Sequence, residues 1–386
     1  MKCTGNNVST RERMEIEFAA VIDHVDPAFD GGFDDQIFLA PGFIDLQVNG
    51  FAGVDYNSAA APLEEIGRSI RAMFSTGVTR FFPTVITGAP EEMLGALRNL
   101  AKAKESLPEG AAIEALHIEG PHISPEDGPR GAHPARWVRP PDLDEFFRWQ
   151  DAARGNVRLV TLSPEWPGVS RYIERLSSEG VAVGIGHTAA TNQQIGDAVS
   201  AGATLSTHLG NAGPTLVPRR ENYLWDQLAQ DRLAATFIVD GLHLSDSFLR
   251  VALRAKGVER SILITDAAMP AMCAPGPYRL GEVEVELRED GRVVLRGGSR
   301  LAGSSLRIDR AIANVMRIAR LGLTEAITMA TINPARVGRI SARQRGLTPG
   351  ERGDLVRFRV TDGRVEILET YLSGRRVFAG KSSAAD

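Results

Sequence analysis

Eight short runs rich in β-branched and apolar residues recur along this chain of 386 residues, with helical patterns between them. The runs are Phe38–Leu46, Thr79–Val85, Ile113–Glu119, Val157–Ser163, Val181–His187, Thr204–Gly210, Ala235–Gly241 and Ile262–Ala267. Most are apolar on both faces, as strands of a parallel sheet covered by helices must be. The stretches Pro62–Phe74, Pro90–Lys104, Asp142–Asp151, Val169–Ser178, Asn192–Ala201 and Ser245–Ala255 place apolar residues three and four apart, the helical period. The helix between Gly210 and Ala235 is the faintest of the set. Eight alternations predict an α/β fold closed into a (β/α)8 TIM-type barrel rather than an open doubly wound sheet. No G-x-G-x-x-G follows the first run, which removes the usual dinucleotide-binding reading.

Two regions stand outside that repeat. Tyr278–Arg296 alternates polar and apolar around Asp290-Gly291 and reads as a β-hairpin inserted after the eighth strand, at about 278–296. Residues 1–38 and 346–386 carry short strand-like runs and turns, and we expect them to pair into a small β-sandwich beside a barrel of residues 39–345. The last residues, Ser383–Asp386, read as a frayed tail.

Composition narrows the function. With 43% hydrophobic and 24% charged residues the chain can bury a large core, and a net charge of -4 without a basic stripe argues against nucleic acid. The N-terminus lacks the apolar core of a signal peptide, and no run approaches the roughly 18 apolar residues of a membrane span. Cys3 and Cys273, the only cysteines, cannot make a disulfide framework or a metal motif. We therefore expect a cytoplasmic protein with a small-molecule partner.

Four of the predicted strands end in residues that can do chemistry. In the run His117-Ile118-Glu119, strand alternation puts His117 and Glu119 on one face, toward the barrel mouth. His187 in GIGHTAAT and His208 in LSTHLGNA each follow an apolar run and precede small residues. One such histidine reads as a hydrogen-bonded core residue; two on adjacent strands, with a carboxylate two strands earlier, point to a divalent cation with open coordination positions. Asp266 in LITDAAMPA ends the eighth strand, where a carboxylate is a helix N-cap or, across from a metal, a general base and acid. His243 in IVDGLHL is placed to touch substrate and Asp240 to fix its loop, whereas spacing does not place His133 in the Pro- and Gly-rich loop EDGPRGAHP, where an exposed histidine and a site residue stay equally open.

Taken in order, PGFIDLQVNG, HIEGPHIS, GIGHTAAT, THLGNA, IVDGLHL, LITDAAMPA, LAGSSLRIDRAI and TINPARVGRI resemble the amidohydrolase superfamily and, within it, the N-acetylglucosamine-6-phosphate deacetylases. The resemblance implies hydrolysis of an N-acetyl amino sugar phosphate to acetate and the free amine, and a homodimer. It implies Glu119, His187 and His208 as ligands of one divalent metal, zinc first, with iron, cobalt and manganese accepted by the same donors. It makes Asp266 the general base and acid, and His133 the group that polarises the acetyl carbonyl. Asn211, Ala212 and His243 fall on substrate contacts, and Gln47 is counted with them. Many amidohydrolases carry His-x-His after the first strand for a second metal; Gln47-Val48-Asn49 stands here, and an amide is a weak ligand, so we expect one metal. Arg219, beside Arg220, aligns with an arginine that reaches the substrate phosphate from the neighbouring subunit. Its surroundings, with Tyr223 and Trp225 nearby, depart from the usual pattern and leave the phosphate requirement open. The alternatives are an amidohydrolase acting on another N-acyl amino sugar, an N-acyl-D-amino acid or a cyclic amide, and a non-catalytic sugar-binding protein.

Overall fold

In the computed structural model, which describes residues 1–28, 34–341 and 344–380, eight parallel strands form one sheet. They are β1 (Phe43–Val48), β2 (Val78–Ile86), β3 (Leu116–Glu119), β4 (Val157–Leu162), β5 (Ala182–Ile185), β6 (Leu205–Ser206), β7 (Ala234–Ile238) and β8 (Ser261–Ile264). Neighbours in sequence are neighbours in the sheet, and a parallel bridge between Val48 and Ala267 brings its two edges together into a barrel. The edges are held by backbone bonds from Asp266 to Gln47 O (3.0 Å) and from Asn49 to Ala267 O (2.8 Å). Helices such as Val169–Ser178 and Ile308–Ala319 cover the outside, each turning one apolar stripe inward, and they share one continuous core with the strands. The faint helix is real but short, Tyr223–Ala229, capped by Asn222.

The first expected strand is two strands. Ile37–Pro41 leaves the barrel and pairs with Leu355–Thr361 and Lys2–Asn7, while Phe43–Val48 enters it. Gly42 makes the switch: a Cβ there would lie 2.1 Å from Thr79 Oγ1, so no larger residue fits where the two sheets meet. The small domain from the chain ends is one seven-stranded mixed sheet, hydrogen-bonded throughout, with its own core of residues such as Ile16, Phe18, Leu39 and Tyr371. Phe38 and Phe358, on its other face, join the barrel core. The expected hairpin is a three-stranded antiparallel sheet, Gly276–Leu280, Val283–Leu287 and Val293–Leu295. The expectation of a frayed Ser383–Asp386 lies outside the described residues. Among the described residues no helix is long and apolar enough to cross a membrane.

Candidate active site

The strands stop before the functional residues begin. β5 ends at Ile185, β6 at Ser206 and β8 at Ile264, and His187, His208 and Asp266 follow in tight turns with φ of 51°, 30° and 50°. Left-handed backbone at three non-glycine positions is strain, which persists where the surroundings hold it. Here His208 N donates to Thr236 Oγ1 (2.7 Å), Ser124 N to His187 O (3.0 Å) and Ser304 N to Asp266 O (3.0 Å). The effect is to swing the side chains off the strand axes and into the mouth of the barrel.

There they meet Glu119, the last residue of β3. Nε2 atoms of His208, His187 and His133 lie 2.8, 3.4 and 3.7 Å from its carboxylate oxygens, and all four residues are buried. His187 Nδ1 donates to Pro129 O (3.0 Å) and His133 Nδ1 sits 2.7 Å from Thr87 Oγ1, which fixes both rings with Nε2 toward the carboxylate. This is how ligating histidines are oriented from behind. Ligand atoms of Glu119, His133 and His187 all fall within 4.8 Å of one another, the one grouping among the described residues able to hold a metal ion. His208, expected as a ligand, is hydrogen-bonded to Glu119 beside that trio, and His133, which spacing left open between an exposed loop and the site, is buried within it. The donor set, one carboxylate and imidazoles that turn Nε2 toward it, fits a borderline divalent cation. Gly131 lets the loop pass: a Cβ there would sit 3.3 Å from His187 Cε1, and its φ is 61°.

Electrostatics follow from this crowding. Burial favours the neutral form of Glu119, but the surrounding His187, His133 and His208 outweigh it and hold its pKa well below the ordinary range. Burial and neighbouring His187 push His133 down to about 4. Asp266 is pushed up to about 6 by burial and by the charge of Glu119. Its Oδ1 accepts from Asn49 Nδ2 (2.7 Å) and Gln47 Nε2 (3.1 Å), and the same Gln47 amide donates to Glu119 Oε1 at 2.7 Å. Gln47, expected as a substrate contact, is 1% exposed and lines no part of the cavity; its NH2 instead holds the two carboxylates in register. Asn49, two residues on and on the same face, lines the cavity instead.

That cavity has a volume of about 410 Å³. Glu119, His133, His187, His208 and Asp266 line it, and so do Asn211, Ala212 and His243. His243 Nδ1 donates to Asp240 Oδ2 (2.6 Å), so Asp240 fixes the ring. Arg219 is exposed on the loop before Tyr223–Ala229 and lines no part of its own chain's cavity. Sequence reasoning missed Arg300, which lines the rim and grips Asp127 at 2.8 and 3.0 Å; nothing in its SRLAG context marked it. It also missed Thr87 and the Pro129 carbonyl, whereas Asn49 was legible from its two-residue spacing to Gln47.

Residues 38–377 match the model of the amidohydrolase family. The chain belongs to that family. As an amidohydrolase it is 32% identical to the N-acetylglucosamine-6-phosphate deacetylase of Bacillus subtilis over 348 residues, 89% of this chain and 86% of that one. It is 35% identical to the Homo sapiens enzyme of the same name over 358 residues, covering 88% and 83%. Its fold superimposes, with a TM-score of 0.88 at 29% identity, on a Mycobacterium smegmatis N-acetyl-D-glucosamine-6-phosphate deacetylase variant in complex with N-acetyl-D-glucosamine-6-phosphate, covering 98% of this chain and 99% of that one. The family and the buried Glu-His-His grouping together support a divalent metal.

Proposed function

We propose that this amidohydrolase removes the N-acetyl group of N-acetylglucosamine-6-phosphate, giving acetate and glucosamine-6-phosphate. The observation that carries the proposal is Asp266, a carboxylate pushed up to about 6, tied through one Gln47 amide to the Glu119–histidine cluster that lines a sugar-sized cavity. The relatives with this name, alike over most of the chain, supply the substrate.

Glu119, His187 and His208 would hold one divalent cation, zinc by preference, with His133 close enough to share in the site. A cation there supplies Lewis acidity, easing deprotonation of water and drawing charge from an amide carbonyl. Asp266 takes the proton of the attacking water and delivers it to the leaving nitrogen, for which a pKa near the working pH suits it. His133, held by Thr87, faces the carbonyl oxygen as negative charge develops on it. Asn211, Ala212 and His243 position the sugar.

The phosphate needs a cation, and the one arginine that lines the cavity among the described residues, Arg300, is engaged with Asp127. We therefore assign phosphate recognition to Arg219 of a second copy in a homodimer, while an unphosphorylated N-acyl amino sugar is the second reading that these engaged charges favour. Acetate release from N-acetylglucosamine-6-phosphate and from N-acetylglucosamine, by metal-loaded wild type and Arg219→Ala, separates them. Strong preference for the phosphorylated sugar, lost in the variant, supports the assignment. Equal cleavage of both sugars points to the second reading, and cleavage of neither removes the substrate.

A further inference from the structure

Glu165, in the loop after β4, lies outside the cavity lining yet gathers donors from three consecutive strand tips. Its Oε2 accepts from Thr188 Oγ1 (3.0 Å), Ala189 N (3.0 Å) and the Ser163 hydroxyl, and its Oε1 from Ser124 Oγ at 3.4 Å. Ser124 belongs to the loop that follows Glu119, and Thr188 and Ala189 directly follow His187. The same two loops are joined a second time, by the bond from Ser124 N to His187 O. The bonds on Glu165 thus close around the strained turn of His187, φ 51°, on the side away from the cavity. A single carboxylate with four donors is far more than a surface loop needs, and hydrogen bonds to a charged acceptor are the strong ones.

We propose that Glu165 is a positioning residue for the metal centre: it locks the β5 turn so that His187 Nε2 stays at its 3.4 Å approach to Glu119, and thereby sets the metal affinity. The proposal rests on the reading of Glu119 and His187 as metal ligands. Without the carboxylate, Ala189 N loses its acceptor and Thr188 Oγ1 keeps only the Ser163 hydroxyl at 2.9 Å, and the turn relaxes toward ordinary backbone with its ring misdirected. Glutamine keeps an oxygen for the Thr188, Ala189 and Ser163 donors and turns its NH2 to the Ser124 hydroxyl, so the lock depends on the acceptor and survives loss of the charge.

The test is cobalt(II) titration of metal-free wild type, Glu165→Ala, Glu165→Gln and His187→Ala against a chromophoric chelator, with the visible spectrum of the bound cobalt recorded. Glu165→Ala should weaken binding about 10- to 100-fold, as loss of a residue supporting a ligand does, and alter the spectrum, while Glu165→Gln restores both. Wild-type affinity and spectrum in Glu165→Ala overturn the proposal. Should Glu165→Ala fail to fold, Thr188→Val removes one of the four donors, and a weakened affinity is expected; an unchanged one overturns it. Cobalt binding that His187→Ala leaves untouched overturns the metal-site reading itself, separately from any result at Glu165.

Discussion

At the mouth of the barrel two carboxylates and three imidazoles share a few ångströms, whereas at the opposite end, where β2 begins, charges are buried in matched pairs. There Arg80 bonds Asp354 at 2.8 Å and Glu114 at 3.2 Å, and Arg352 bonds Asp354 at 2.7 Å. Asp354 also accepts from Ser373 N (2.8 Å), which ties the barrel to the sheet of chain ends. Each of these charges faces its opposite. At the mouth Asp266 is instead pushed up to about 6 and His133 down to about 4, because neighbours of like sign and burial work against ionisation. One end is arranged to be stable as it stands. The other crowds groups whose ionisation is strongly perturbed, as functional sites do.

The sharpest way to break this contrast is Asp266→Asn. Loss of the proton-transfer group should lower kcat by about 10²- to 10⁴-fold, with metal content and folding intact. Acetate release near wild type, measured beside metal analysis, would remove Asp266 from the reaction. Asp354→Ala should do the reverse: removing the buried carboxylate that Arg80 and Arg352 share, and leaving Arg80 only the carboxylate of Glu114, costs about 3–5 kcal/mol, seen as a lower urea midpoint, while turnover per folded molecule stays unchanged. If the midpoint does not move, the stable end is not held by these pairs.

A third experiment uses pH. Activity of the metal-loaded enzyme should fall at acid pH as Asp266 takes up the proton it must be free to accept, the fall lying below the value of about 6 set by burial and Glu119 because a nearby cation favours the carboxylate. Stability has the opposite sign. A carboxylate whose folded pKa is raised above its unfolded value stabilises the fold at low pH, and this contribution is lost as pH rises through the folded value. Metal-free Asp266→Asn should therefore melt above metal-free wild type on the alkaline side of about 6, the gap closing toward pH 4; a gap independent of pH would place the strain elsewhere. The smallest effect is expected from Arg300→Ala. Its partner Asp127 is 66% exposed, so water screens the pair and the melting temperature should barely move; a clear drop would show that the rim is part of the fold's support.

Much of this was legible in the chain. Helix positions followed from apolar spacing: Val169–Ser178 runs as the sequence predicts, and Pro90–Ser106 starts at its proline. Burial of both sheet faces was readable because the strands are apolar throughout. Strand ends were not, since the expected Val181–His187 and Thr204–Gly210 shrink to Ala182–Ile185 and Leu205–Ser206. The lost residues had gone into left-handed turns that hydropathy does not register. The split at Gly42 was hidden for a similar reason, because one apolar run served two sheets. In the site, strand-end position picked out Glu119, His187, His208 and Asp266. The place of His133 depends on a loop folding back over the mouth, and the role of Gln47 on which of two buried carboxylates its amide reaches; neither is encoded in local pattern.

The left-handed turns carry one more consequence. Among residues with a side chain, Asp and His are several-fold enriched in that conformation, and glycine enters it at no steric cost. His187, His208 and Asp266 thus occupy backbone that a glycine would accept more readily than the native residue does. Their side chains are detachable from the architecture: a glycine at any one of them empties an imidazole- or carboxylate-shaped hole and leaves the loop in place. Such a centre invites chemical rescue by added imidazole or formate, and it can exchange its reactive groups over time while the barrel beneath keeps its shape.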